Sequence, residues 1–392
     1  MSIFDKDLDR WHTRSEKWDG MLEKFGTSDL IPLWEADMDC KCSPQIIDHF
    51  RKRVEHGVFG YTIRDDAFFN AIINWQARRN NWQIEKEWIR NAPGTIPALS
   101  AAILAFTEPG DEIIIQEPVY YRFFNSIILN ERKTLHNTMI FDGDQYLLDF
   151  EGLENMITER TKMIVICNPQ NPVGKVFTKE ELLRIGEICL KHNILIVSDE
   201  LYSDILFDGR KHYPIASLSE ALKMNTITMF GPGKGFNLPG LKASIVTIAN
   251  PELMKIYDRT ADAIELFMKN LFSIEGVIAA YEYSEEWLDE ITVLLQEKRD
   301  YVVDYIRTNI PEINIVKPEG TYIAWLDMRF LNMSDAELEA FLVNEAKIGV
   351  KYGHTFGKGG SGFIRINFAS SKTLLEEALE RLADAVKKQL AK

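Results

Sequence analysis

Between residues 95 and 250 the chain alternates stretches of helical length with short runs that are apolar at consecutive positions. Ile96 to Phe106 has the length of a helix, and Pro109-Gly110-Asp111 reads as a turn. The runs 112–116, 163–167, 194–197, 226–230 and 243–247 predict strands. A strand with one wet face would alternate apolar and polar residues, so these predict burial on both faces. Thr178, with Glu181 three residues on, predicts a capping box opening a helix that runs to Lys191. The order predicts an α/β core with a mostly parallel sheet covered on both sides. From 252 to 309 no strong breaker occurs before Pro311, which predicts one long helical region. Beyond it, strand patterns at 313–316, 321–327 and 363–368 and amphipathic helices at 335–347 and 372–390 predict a smaller α+β domain. The N-terminal 45 residues are expected to pack against it. The expected limits are therefore 46–284 for the large domain, and 1–45 with 285–392 for the small domain and its linking helix.

Composition narrows the functional classes. A chain of 392 residues, 46% hydrophobic, can build two cores. Its 59 acidic side chains outnumber 45 basic ones, giving a net charge of −14, which argues against nucleic-acid or anionic-membrane partners. No apolar run approaches the length of a membrane span, and the opening Met1–Asp7 is charged without an apolar signal core. The expected location is cytoplasmic. Cys40, Cys42, Cys167 and Cys189 are too few and irregular for a disulfide framework, and Cys40-Lys41-Cys42 lacks zinc-knuckle spacing. No metal site is expected.

Lys234 supplies the first candidate chemistry. It lies in Gly231-Pro232-Gly233-Lys234-Gly235, which is not a phosphate-binding P-loop, because Thr228 stands where the first Gly would be and no Ser or Thr follows the Lys. A lysine in such a turn can reach a bound aldehyde and form a Schiff base. Asp199, closing a buried strand, can keep a pyridine nitrogen protonated. Taken singly, each has an ordinary reading: most lysines are solvated, and an Asp after a strand often caps the next helix. Their weight comes from company. Asn168-Pro169-Gln170-Asn171-Pro172-Val173-Gly174, Asp199 and Lys234 all follow shortly after strand-like runs, where ligands collect in sheets of this kind.

These segments, with Gly94-Thr95-Ile96 and the late Arg365-Ile366-Asn367, resemble the fold-type I pyridoxal 5′-phosphate (PLP) enzymes of the aspartate aminotransferase superfamily. The resemblance implies that superfamily's α/β fold: a large domain with a mostly parallel seven-stranded sheet, plus a smaller α+β domain. It implies Lys234 as covalent anchor and base, and Asp199 as partner of the ring nitrogen. Tyr202 and Asn171 would bond the ring oxygen, and Tyr120 would stack on the ring. Gly94, Thr95 and Ile96 would offer helix N–H groups to the phosphate. Arg365 would grip the substrate carboxylate in a bidentate fork.

A narrower resemblance, to the cystalysin and cystathionine β-lyase-like C–S lyases, rests on Pro32–Asp39, His56–Thr62, Pro118–Tyr121, Asn171–Val176 and Gly362–Asn367. It implies a homodimer with shared active sites, in which Tyr61 reaches the phosphate in the neighbouring subunit. It also implies that Tyr121, a catalytic candidate with Lys234, lies with Asn171 and Ala36 beside a small amino-acid substrate. Trp34 reads as core packing. Three departures stand out. Gly231 and Gly233 replace the serines usual before the lysine, leaving phosphate binding to the helix start, Tyr61 and Lys242. Tyr202 stands where these lyases carry His. Glu35 occupies a normally apolar position. The expected activity is β-elimination on a cysteine thioether such as cystathionine. An aminotransferase, or a non-catalytic relative used for binding, stays open.

Overall fold

The computed structural model describes residues 8–392, so the charged opening of the chain lies outside the described residues. A seven-stranded sheet forms the centre of the larger part. In chain order its strands are β1 (Ile89–Ala92), β2 (Glu112–Glu117), β3 (Lys133–Thr138), β4 (Thr161–Cys167), β5 (Leu195–Asp199), β6 (Thr226–Phe230) and β7 (Ser244–Ile248). The spatial order is β1-β7-β6-β5-β4-β2-β3, and only β7 runs antiparallel to its neighbours.

Burial on both faces follows from the apolar runs. Ile113, Ile115, Val165 and Val197 pack with Ala98, Leu99 and Met254 on one side, while Ile114, Ile164, Ile166 and Ile196 pack with Leu182, Ile185 and Cys189 on the other. Each of the Ile, Val, Leu and Met side chains contributes roughly 1.5–3 kcal/mol on burial. The helix Lys179–Lys191 opens on the expected capping box between Thr178 and Glu181. Two strands escape the pattern: β1 (IRNA) and β3 (KTLHNT) are half-polar. They form the two edges of the sheet, where one face and one ladder edge need no apolar cover.

The region 252–309 is not one helix. It divides into Pro251–Ala263, Leu271–Tyr283 and Glu285–Asn309. Glu265 takes a left-handed conformation after the first helix. Asn270 caps the second by accepting from the Ser273 amide. Ser284 ends the second, its hydroxyl donating to the Ala279 carbonyl. Polar residues with capping chemistry thus break the region without Gly or Pro.

A second sheet contains β8 (Asn314–Val316), β9 (Ile323–Asp327), β10 (Lys351–Tyr352) and β11 (Phe363–Asn367), in the order β8-β9-β11-β10. The N-terminal arm is stitched to this part of the chain: Ile31 and Pro32 pair with Ile348 and Gly349, and the Asn367 amide donates to the Leu33 carbonyl. The same arm reaches the first sheet's loops, where Asn237 bonds the Met38 amide and carbonyl.

Candidate active site

The carboxyl ends of β4, β5 and β6 converge with the arm and with β11. Asp199 is the last residue of β5, and Lys234 lies on the connection leaving β6. Asn171 follows β4, and its Oδ1 accepts from Arg365 Nη1 at 3.1 Å, which joins the two sheets. Arg365 is buried on β11 and its Nη2 donates to the Trp34 carbonyl at 2.7 Å.

Lys234 is the only residue of 231–236 that is not fully buried. Its Nζ donates to the Ala36 carbonyl at 2.6 Å and lies 5.6 Å from the centre of the Tyr202 ring. Burial pushes its pKa down to about 8, partly opposed by Glu35 and reinforced by Arg365. A lysine in this state is partly neutral near physiological pH and can act as nucleophile or base.

Burial also pushes the Asp199 carboxyl up, to about 6, although the Thr95 side chain and the Leu201 amide hold it down. Thr95 is the first residue of the helix Thr95–Phe106, whose N-cap Gly94 provides no side-chain bond. The first N–H groups, Ile96 among them, therefore remain available to an anion. Tyr202 is buried beside Tyr322 with ring centres 5.5 Å apart, and its hydroxyl makes no well-formed hydrogen bond. Arg365 Nε is likewise unpartnered. Buried polar atoms without partners are costly unless a ligand satisfies them. A carboxylate, an amine, a phenol and a guanidinium within electrostatic reach of one another suit a pyridine ring carrying an aldehyde, a ring oxygen and an acid-bearing adduct. The residues present fit PLP.

The remaining sequence candidates divide into two groups. Tyr120 and Tyr121 follow β2 and pack edge to face at 5.1 Å; Tyr121 carries Lys351 Nζ over its ring at 5.1 Å. Ala36 contributes its carbonyl, as described. Tyr61 and Lys242 are exposed instead. Lys242 lines a cavity of about 420 Å³ with Asn91, Pro93, Ser244 and Lys269, beside the start of the Thr95 helix. Two site residues escaped the sequence reading. Tyr322 donates its hydroxyl to the Ala36 carbonyl at 2.8 Å, sharing that acceptor with Lys234. Lys351 stands opposite Arg365 across the β10–β11 ladder. Strand register alone reveals that neighbour, since no motif marks it. The ring of Trp34 packs edge-on against Phe25, as core packing requires, yet its carbonyl belongs to the site.

Among the described residues no cluster of ligating side chains could hold a metal, and no helix is long and apolar enough to cross a membrane.

Comparison with known proteins agrees with this geometry. The model of the class I and II aminotransferase family matches residues 28–382. Cystathionine β-lyase PatB of Bacillus subtilis strain 168 is 36% identical, over 98% of this chain and 99% of its own length. The PLP-containing structure of cystalysin from Treponema denticola superposes with a TM-score of 0.95 at 34% identity, covering 99% of each chain. A PLP-bound protein of Clostridium difficile 630, assigned provisionally to the aminotransferases, gives a TM-score of 0.96 at 42% identity, over 98% of this chain and 100% of its own.

Proposed function

The chain belongs to the class I and II aminotransferase family, and from that membership we propose a PLP-dependent C–S β-lyase that cleaves cystathionine or a related cysteine thioether. Full-length similarity to cystathionine β-lyase PatB and to cystalysin carries this reading. The sequence resemblance to the C–S lyases points the same way. PLP supplies an aldehyde for the amine and a ring that draws electron density away from the substrate Cα.

The protein groups then have separable tasks. Lys234 would anchor the cofactor and would take the Cα proton; its pKa near 8 suits that transfer. Asp199 would hold the proton at the ring nitrogen, and Tyr202 with Asn171 would bond the ring oxygen. Tyr120 would cover the ring face. Thr95, Ile96 and Gly94 would offer backbone to the phosphate, with Lys242 as a further candidate. Arg365 orients the substrate carboxylate, helped by Asn171 and the Ala36 backbone, while Tyr121 lines the approach. Loss of the Cα proton allows the Cβ–S bond to break with its electron pair on sulfur, and the thiolate takes up a proton to leave as a thiol. The unsaturated amino acid that remains takes up water and yields pyruvate and ammonia.

The assembly we propose is a homodimer. Val58, Phe59, Tyr61 and Ile63 form an exposed apolar run, and Phe59 packs against Phe272, near the cavity that holds Lys242 and Lys269. An exposed run of this kind suits burial against a second copy, which would bring Tyr61 to the neighbouring phosphate site. The proposed domain limits remain 46–284 and 1–45 with 285–392. The four cysteines are free, which suits the cytoplasm.

The test is to incubate holoenzyme with L-cystathionine, with and without a 2-keto acid, and follow pyruvate and thiol. Pyruvate formed without keto acid is the expected result. Product that requires keto acid would replace the lyase by an aminotransferase.

A further inference from the structure

Glu35 and Lys351 form an ion pair beside the site that the tasks above do not use. Lys351 Nζ stands 3.3 Å from Glu35 Oε1, and the two side chains are 11% and 31% exposed. Neither is sealed, and neither is free in water. Lys351 Nζ also lies 5.2 Å from the Trp34 ring centre and 5.1 Å from that of Tyr121, so its position is fixed by two aromatic faces.

Glu35 is held just as firmly. The carbonyls of Trp34, Glu35 and Ala36 accept from Arg365, Asn367 and Lys234 in turn. Three successive residues of the arm are thus tied to the site, and the Glu35 side chain projects from the middle one. Lys351 sits directly opposite Arg365 in the ladder, a like-charged cross-strand pair that is unfavourable by itself. The charges facing this place are Arg365 and Lys351 on the second sheet, Lys234 on the first sheet's loop, and Lys24, Glu35 and Asp37 on the arm.

We propose that the Glu35–Lys351 pair selects substrates whose far end carries both an ammonium and a carboxylate, meaning a thioether that joins two amino acids. This deepens the lyase reading and rests on it. A zwitterion exchanges one ion pair for two, Glu35 taking its ammonium and Lys351 its carboxylate. A lone distal carboxylate meets Glu35, a lone amine meets Lys351, and an alkyl group leaves the pair nothing in return for lost water.

The experiment compares kcat/KM for L-cystathionine with that for S-ethyl-L-cysteine, which has the same scissile bond and no distal charges. It uses holoenzyme of the parent, Glu35→Gln, Lys351→Met and the double variant, which leaves no lone charge. The expected result is a fall of about fivefold or more in the cystathionine/S-ethylcysteine ratio, mostly through KM. Taking a ratio within each preparation cancels losses in folding, cofactor content or Lys234 basicity. A ratio within about twofold of the parent in all three variants overturns the proposal while leaving the lyase intact. A parent enzyme that releases no keto-acid-independent pyruvate from either thioether overturns the lyase reading, and this inference with it.

Discussion

Lys234 rests its ammonium on the Ala36 carbonyl at 2.6 Å, 198 positions away in the chain. Tyr322 occupies the same oxygen at 2.8 Å. The N-terminal arm is therefore part of the proposed site, because its backbone holds the Lys234 amine in place. A carbonyl oxygen favours the charged amine, whereas burial favours the neutral one, and burial dominates.

Replacing Lys234 by Ala is expected to abolish the lysine-linked visible absorbance of the holoenzyme and to cut β-elimination by about a thousandfold or more. Absorption spectra and pyruvate release check it. A surviving band would place the anchor on another lysine.

The pH dependence follows from the same group. Only the neutral amine attacks an aldehyde, so PLP uptake by the cofactor-free protein should rise with pH around a midpoint near 8. Glu35 raises this pKa and Arg365 lowers it. Glu35→Gln should therefore move the midpoint down and Arg365→Met should move it up. The stability sign is also determined. The folded pKa is depressed below the unfolded 10.5, so the cost of burying the charge is fully present below pH 8 and fades as pH rises toward 10.5. Stopped-flow uptake traces across pH 6–10 measure the midpoints.

The central strands were legible because burial on both faces forces continuous apolar runs. Edge strands β1 and β3 were not, since Arg90, Asn91 and His136 can remain half-exposed and Lys133 exposed there. The 252–309 region misled because Asn270 and Ser284 end helices through hydrogen bonds that composition does not announce. Lys234 and Asp199 carried recognisable surroundings. Tyr322 and Lys351 acquire meaning only from the fold, which sets one against Ala36 and the other against Arg365.

Asp199 should trade stability for function. Its folded pKa of about 6 lies above the ordinary 3.8, so the ionised carboxylate lowers folding stability in full above pH 6, and that cost disappears as pH falls toward 3.8. Asp199→Asn should stabilise the cofactor-free protein at pH 7 by on the order of 1–3 kcal/mol. The gain should vanish below about pH 4. The same variant should lose β-elimination by about a hundredfold or more, because an amide cannot hold the ring nitrogen's proton. Denaturant melts of parent and variant at pH 4 and pH 7, read beside activity, check both halves. A variant less stable than the parent at pH 7 would mean that Asp199's bonds to Thr95 and Leu201 outweigh its burial.

The two glycines where the resemblance leads one to expect serine should respond oppositely. A Cβ on Gly231 would lie 2.7 Å from the Ala243 carbonyl oxygen and 3.2 Å from the Ser244 Cα, both backbone atoms at the start of β7. Neither can rotate away, so accommodating the side chain means spreading β6 from β7. Gly231→Ser should destabilise the protein by about 1–3 kcal/mol and weaken PLP binding despite the added hydroxyl. At Gly233 the nearest atom to a built Cβ is the Pro239 Cα at 3.9 Å, an ordinary contact, and no left-handed backbone forbids a side chain. Gly233→Ser should fold normally, gain about 0.4–1 kcal/mol from a less flexible unfolded chain, and bind PLP at least as tightly as the parent. Thermal melts of the cofactor-free proteins and PLP titrations separate the two outcomes. If both serines are tolerated equally, the approach of Gly231 to Ala243 is not what excludes a side chain there.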